Sequence, residues 1–230
     1  MQAAQVLPAV VRLSRSFWDD ARNGTYAEKM QFVMRQLPLI TAWCRISTLE
    51  LPCCGMKGQD AERLAGVLAQ FPALAHLDLS WNHNFGAGGA YRLAGVLGQC
   101  RELVHLNLRY DYIGPAGAES FAGVLGQCPA LAHLNLGYNY IGPAGAERLA
   151  GVLGQCRELV HFSLRGNLIR AARAERLAGV LAHCASLAHL DLCSNYIEAA
   201  GAEKLAGVLG QCTALAHLNL SCNEIRSAGA

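Results

Sequence analysis

The chain is built on a repeat. LAHLNLGYNYIGPAGAERLAGVLGQCRE begins at Leu131, and related segments begin at Ile46, Leu74, Leu103, Leu159, Leu187 and Leu215. Every spacing is 28 residues except that between Leu74 and Leu103, which is 29. The additional residue falls in WNHNFG, where Phe85 is expected to take the apolar place that Ile113 and Ile141 take elsewhere. A period of this length means that each repeat is one supersecondary unit. Such a unit cannot bury its apolar face alone and has to stack on its neighbours.

Two shorter periods run inside each repeat. In LAHLNL, Leu134 and Leu136 alternate with His133, Asn135 and Gly137, which predicts a short strand with one buried face. In PAGAERLAGVLGQC, Ala146, Leu149, Ala150 and Leu153 fall at i, i+3, i+4 and i+7, one face of a helix. Pro143 suits the first helical turn, Glu147 is placed near the positive end of the helix dipole, and Gly154 is placed as the stop. Stacked units of this kind give a parallel sheet on one side and helices on the other. The helix layer is the wider, so the stack curves with its strands on the concave side.

The repeated pattern resembles the leucine-rich-repeat superfamily, whose motif LxxLxLxxNxI is met across residues 46 to 230. The continuation GPAGAERLAGVL most resembles the ribonuclease-inhibitor-like class, which includes ribonuclease inhibitor, the sensor domains of NOD-like receptors and Ran GTPase-activating protein. The resemblance implies an α/β horseshoe solenoid whose ligands are proteins. It also implies that the motif Asn bonds backbone groups in the turn after the strand, here Asn82, Asn139, Asn167, Asn195 and Asn223. Cys54 and Asp111 depart from it. A carboxylate accepts hydrogen bonds but donates only when protonated, so Asp111 is expected to mark a local weakness or a bridging water.

Ten cysteines are present, and Cys100, Cys128, Cys156, Cys184 and Cys212 recur with the repeat. A disulfide framework would not show that period. A column of buried, reduced thiols in a cytoplasmic protein is the expectation. The net charge of +2 argues against a nucleic-acid or membrane partner. No apolar run approaches the roughly 20 residues that a membrane span needs. Near the start, Arg12 and Arg15 follow the short apolar stretch rather than precede it, and no signal peptide is read.

Residues 1–45 lie outside the repeat and read as an N-terminal helical cap, with residues 46–230 forming the repeats: seven strands, the last without its helix. Tyr26, Met30, Val33, Met34 and Leu37 form an apolar stripe, and Thr25 with Glu28 has capping-box spacing. Phe17 and Trp18 are expected to pack in this cap. At the far end, Leu218, Leu220 and Ile225 precede Ser227-Ala228-Gly229-Ala230, where a helix is due. That end is expected either to continue in a longer array or to be covered by another copy of the chain.

Function is expected on the concave face and just beyond the strands. His76, His105, His133, His161, His189 and His217 form one column. Three readings compete for it: a tolerated polar residue copied by duplication, a pH-responsive binding face, or adventitious divalent-metal binding. Next come Glu50, Asp78, Asn107, Asn135, Ser163, Asp191 and Asn219. Beyond them lie Trp81, Tyr110 and Tyr138, then Tyr112, Tyr140 and Tyr196, with Arg109 and Arg165 alongside. Tyr, Trp and Arg most often carry interface energy, so these residues, with His105, His133, His161 and His189, are the candidate partner-binding set. On the helices, Arg63, Arg92, Arg148, Arg176 and Lys204 alternate with Glu62, Glu119, Glu147, Glu175 and Glu203, a mixed solvated face.

No phosphate-binding loop, dinucleotide glycine pattern, HExxH or CxxC is present. The regular cysteines follow the helices while the histidines lie on strands, which separates any nucleophile from its base. Cys193 and Cys222 lie nearer the concave rim and invite a reactivity test. No cofactor, no fixed metal and no enzymatic activity are expected. Two alternatives to a recognition module remain: a GTPase-activating protein of the Ran type, and a structural or consensus scaffold without a specific ligand.

Overall fold

The computed structural model describes residues 8–13, 15–20, 24–40 and 45–226. The chain runs β1 (Pro8–Arg12), α1 (Arg15–Asp19), α2 (Tyr26–Ile40), β2 (Arg45–Glu50), α3 (Gly58–Leu68), β3 (His76–Asp78) and α4 (Gly86–Leu97). It continues through β4 (His105–Asn107), α5 (Gly114–Leu125), β5 (His133–Asn135), α6 (Gly142–Leu153), β6 (His161–Ser163), α7 (Ala171–Leu181), β7 (His189–Asp191), α8 (Glu198–Leu209) and β8 (His217–Asn219). Eight strands form one parallel sheet in sequence order. Seven of them fall in the repeats. The eighth, β1, belongs to the segment expected to be helical and pairs with β2. Among the described residues no helix is long and apolar enough to cross a membrane.

The core lies between sheet and helices. Leu77, Leu106, Leu134, Phe162 and Leu190 point inward from successive strands and are at most 2% exposed. From α6, Ala146, Leu149, Ala150 and Leu153 meet them, also at most 2% exposed. Each such leucine contributes about 2 kcal/mol of burial. Phe85 fills the isoleucine place, 1% exposed. Adjacent helices approach closely at Gly117 and Gly145, where a Cβ would lie 2.8 and 2.9 Å from Ala90 and Ala118. In α7 that position is Arg173, which turns outward to Glu147 at 3.3 Å.

Two helix expectations change. Gly154 follows α6 at φ −63°, an ordinary right-handed value, and Ala69 and Ala182 hold the same place after α3 and α7. The stop is made instead by tight turns, in which Gln155 and Cys156 donate to the carbonyls of Val152 and Leu153. Glu147 lies beyond the first turn of α6. It pairs with Arg173 and Arg176 of the next helix, as Glu62, Glu119 and Glu175 pair with Arg92, Arg148 and Lys204.

The turns after the strands are held by a ladder of buried side-chain amides. Oδ1 of Asn139 accepts from the N–H groups of Asp111 and Ile113 in the preceding repeat. Its Nδ2 donates to the carbonyls of Leu108 and Leu136. Asn167, Asn195 and Asn223 repeat this pattern, so the carbonyls of Leu136, Leu164 and Leu192 each accept from two amides. Cys54 stands in the first place, buried, with its Sγ 3.0 Å from the Leu51 carbonyl. Asp111 breaks the ladder. Its Oδ1 accepts from the Asn82 N–H at 2.7 Å, but its Oδ2 is buried without a partner. The preceding repeat is the one lengthened at WNHNFG, so the two irregularities are adjacent. Burial pushes the Asp111 carboxyl well above the usual carboxylate range, opposed by the Asn82 hydrogen bond and reinforced by Asp78.

The N-terminal segment packs as a lid on the first repeat. Met30, Val33, Met34, Leu37 and Trp18 are buried, Phe17 partly so. Tyr26 departs from the expected stripe and is 42% exposed. Thr25 and Glu28 form the expected reciprocal cap, which holds the Glu28 carboxyl below its ordinary range. Lys29 carries no signal in the sequence. It is 3% exposed, and its ammonium donates to the carbonyls of Phe17, Trp18 and Asp20. Residues 227–230, where a further helix was due, lie outside the described residues.

Candidate functional site

The histidines stand in register on neighbouring strands, from His76 opposite His105 through His189 opposite His217. From His105 onward their rings stack at 4.0–4.5 Å between centroids, within 14° of parallel. The His76–His105 pair is looser, at 5.2 Å and 39°. Together with the column from Asp78 to Asn219, they line a groove of about 770 Å³ on the open face of the sheet. Partial burial and the neighbouring imidazoles lower the proton affinity of His105, His133 and His161, that of His133 to about 4. Stacked rings do not converge on a point, and among the described residues no three His, Cys, Asp or Glu groups are placed to hold a metal.

Beside the groove, the turn flanks each ladder position with left-handed backbone, on both sides except at Asn82, where only Trp81 adopts it. Trp81, Tyr110 and Tyr138 have φ of 65°, 62° and 57°, and Tyr112, Tyr140 and Tyr196 lie between 54° and 57°. The repeat imposes this geometry whichever residue is present: Gly55 and Gly166 adopt it as well. An aromatic residue in that region is an outlier with a conformational cost of order 1–3 kcal/mol. Trp81 stacks on Tyr110 at 4.0 Å, and Tyr110 on Tyr138 at 4.3 Å and 4°. The stack ends against Gly166, where a Cβ would meet the Tyr138 ring at 2.5 Å.

Arg109 lies 5.0 Å from the centroids of both Tyr110 and Tyr138. Arg165 donates from Nε to the Tyr138 hydroxyl at 2.8 Å. The structure therefore brings Trp81, Tyr110, Tyr138, Arg109 and Arg165 into one cluster. Tyr112 and Tyr140 meet edge to face at 5.3 Å. Tyr196 stands apart, 47% exposed, with Leu168 holding the intervening position. His83 was missed because it lies in the lengthened repeat. It sits 5.1 Å from Tyr112 and edge-on to Trp81 at 5.9 Å.

The cysteines are divided. Cys100, Cys128 and Cys156 are buried, whereas Cys184 and Cys212 are only half-buried, against the expectation for the whole column. Burial pushes the thiols of Cys128 and Cys184 up to about 11. Cys53 aside, the described cysteines are free thiols. Cys193 is buried and Cys222 exposed. Although burial opposes it, hydrogen bonds from Ser194, Ser221 and Cys222, with Arg165 nearby, bring the Cys193 thiol below its ordinary range.

The family model described as Leucine Rich repeat matches residues 74–94, 127–150, 183–206 and 211–230. The fold is a leucine-rich-repeat solenoid. A solved structure of the yeast Rad7 and Elc1 complex aligns with a TM-score of 0.52 and 15% identity, over 89% of this chain and 52% of that one. The chain thus spans about half the length of that relative. The leiomodin-1 actin-binding site 2 structure aligns with a TM-score of 0.48 and 13% identity, over 82% of this chain and 89% of that one. No curated protein matches the sequence. Similarity of this degree concerns the fold, and the site has to carry the function.

Proposed function

We propose that the chain is a protein-recognition module that takes its partner on the sheet face, with Trp81, Tyr110 and Tyr138 as anchors. The observation that carries this reading is the stack itself: three aromatic residues on costly left-handed backbone, beside a groove, with Trp81 43% exposed. A buried core does not need them there, since Gly166 and Ser194 hold the same position with the same left-handed backbone. The histidine column forms the groove floor, and Tyr112, Tyr140 and Tyr196 extend the rim. The similar yeast structure is a complex of Rad7 with Elc1, in keeping with a protein partner.

The resemblance of GPAGAERLAGVL to NOD-like-receptor sensor repeats supports a narrower form, the sensing part of an innate-immune protein. The free thiols support a reducing, cytoplasmic setting. Half-buried Leu215, Leu218 and Leu220 support self-association through the β8 face.

The test is retention of partners by the immobilised chain and by the Trp81→Ala/Tyr110→Ala/Tyr138→Ala variant, followed by titration of each retained protein in purified form. Anchors of this kind cost about 2 kcal/mol or more on truncation, some 30-fold in affinity each. Undiminished affinity of a folded triple variant refutes the proposal.

A further inference from the structure

The rim beside the groove is segmented by charge. The column next to the histidines carries carboxylates at Glu50, Asp78 and Asp191, but the three central repeats carry Asn107, Asn135 and Ser163 instead. In those same repeats the following column reads Arg109, Gly137 and Arg165. Elsewhere the acids are engaged: Glu50 with Arg12, and Asp78 with Ser80 and Asn107. Asp191 accepts from the Cys193 N–H and lies at the edge of the field of Arg165.

Both arginines are aimed by a single ring. Arg109 is held against Tyr110 and Tyr138, and Arg165 is bonded to the Tyr138 hydroxyl. Neither guanidinium meets a carboxylate within ion-pair distance among the described residues, unlike Arg92, Arg148, Arg173 and Arg176 on the helices. The Nε of Arg109 is buried and unpartnered. Between the two, Gly137 brings no side chain: a Cβ there would lie 3.2 Å from Asn135 Oδ1 and 3.7 Å from Arg109 Cγ, so a side chain would crowd both. Arg109 and Arg165 lie two strands apart, about 10 Å along the sheet, and both are half-buried.

Resting on the recognition reading above, we propose that Arg109 and Arg165 form a clamp over Gly137 for a carboxylate of an acidic protein segment. An aromatic or apolar residue of the same segment stacks on Trp81. The choice follows from charge complementarity: guanidinium pairs bind planar carboxylates bidentately, and the flanking Asp78 and Asp191 confine the anion to the centre. Trp81 stands two strands from Gly137, again about 10 Å, which an extended peptide covers in about three residues. The segment therefore lies across the strands, along the solenoid, with its acidic and aromatic residues three positions apart.

The probe is a fluorescein-labelled nine-residue peptide with one Phe and one Glu three positions apart in a Gly-Ser background. It is compared with the same peptide carrying Gln, Lys or phosphoserine in place of Glu. Anisotropy titrations use the full chain, R109Q, R165Q, the double variant and Trp81→Ala, each checked for native circular dichroism. The expected result is saturable binding of the Glu peptide, weakened at least tenfold by R109Q/R165Q and by Gln or Lys in the peptide, and weakened further by salt. No saturable binding below about 1 mM, or equal affinity for the Glu and Gln peptides, overturns the clamp. Phosphoserine binding far more tightly than Glu overturns the carboxylate as its occupant. If binding falls with Trp81→Ala but not with R109Q/R165Q, the clamp is wrong and the recognition surface stands. If neither change matters, both readings fail.

Discussion

Replacing Asp111 with Asn should stabilise the protein, and by an amount that depends on pH. In the regular repeats each leucine carbonyl beneath the ladder accepts from two amides, whereas Leu79 and Leu108 accept from one each, Asn82 and Asn139. An amide at 111 would donate to both, each bond contributing about 1 kcal/mol net, and would remove an unpartnered buried oxygen that costs about 1–3 kcal/mol. Together these terms give a gain of about 3–5 kcal/mol, which linkage increases as pH rises. The sign of its pH dependence follows from linkage. The unfolded carboxyl ionises near 3.9, while burial raises the folded one well above that range. Below the unfolded value both states hold the proton and nothing is lost. As pH rises towards the folded value, only the unfolded state releases its proton, and the native state loses stability at up to about 1.4 kcal/mol per pH unit. The variant lacks this loss, so its advantage should grow from about pH 4 upward. Urea unfolding of both proteins at pH 4.5, 6.0 and 7.5 measures it, and other titrating groups cancel in the difference. A variant no more stable at pH 7.5, or an advantage independent of pH, would refute both the neutral acid and the broken ladder.

The histidine stack should act in the opposite direction. With His133 titrating at about 4 in the folded chain and near 6.5 unfolded, stability is lost as pH falls between those values. His133→Gln should flatten that slope in urea midpoints measured from pH 7.5 to 4.5, and an unchanged slope would count against charge crowding. Gly166→Ala should destabilise by about 1–2 kcal/mol, because φ is +67° and a Cβ would strike Tyr138. It should also displace the Tyr138–Arg165 contact, so a thermal midpoint equal to that of the parent chain would contradict the close fit. With a thiol reagent at pH 8, exposed Cys222 should label while buried Cys128, its thiol pushed up to about 11, stays protected. Labelling of Cys128 at a comparable rate would show that the solenoid opens.

The fold was legible because the repeat fixes register. Once Leu134 and Leu136 are assigned to a buried face, every other strand follows at the same interval, and so does the histidine column. The failures came where the period says nothing. PAVVR in β1 lies outside the repeat, and its pairing with β2 depends on a neighbour far along the chain. Tyr26 fits the apolar spacing of α2 but lies beyond the lid's core, against Gly55. Lys29 looks like an ordinary surface residue until three carbonyls, two in α1 and one just after it, are seen to converge on it. At the site, the sequence gives columns but not contacts. That Arg109 and Arg165 turn to one ring, and that Gly166 ends the aromatic stack, depends on side-chain direction.

In a repeated chain sameness is the default, so each departure asks what it changes, and the structure sorts the answers. Exchange of Gly154 for Ala at 69 and 182 changes little, since the backbone there is right-handed. Arg173 in place of glycine is absorbed by turning outward to Glu147. Asp111 weakens the ladder beside the lengthened repeat. The sequence Arg109, Gly137, Arg165, opposite neutral Asn107, Asn135 and Ser163, is different in kind. It lies on the open face and leaves two guanidiniums without carboxylate partners among the described residues, while Asn107, Asn135 and Ser163 accept from the N–H groups of Arg109, Gly137 and Arg165 as Asp78 and Asp191 do from those of Ser80 and Cys193. The Tyr110 and Tyr138 rings position both guanidiniums, and on the proposal above a bound anion supplies the missing partner, so that specificity is expected at the central rim rather than at the more regular histidine ladder.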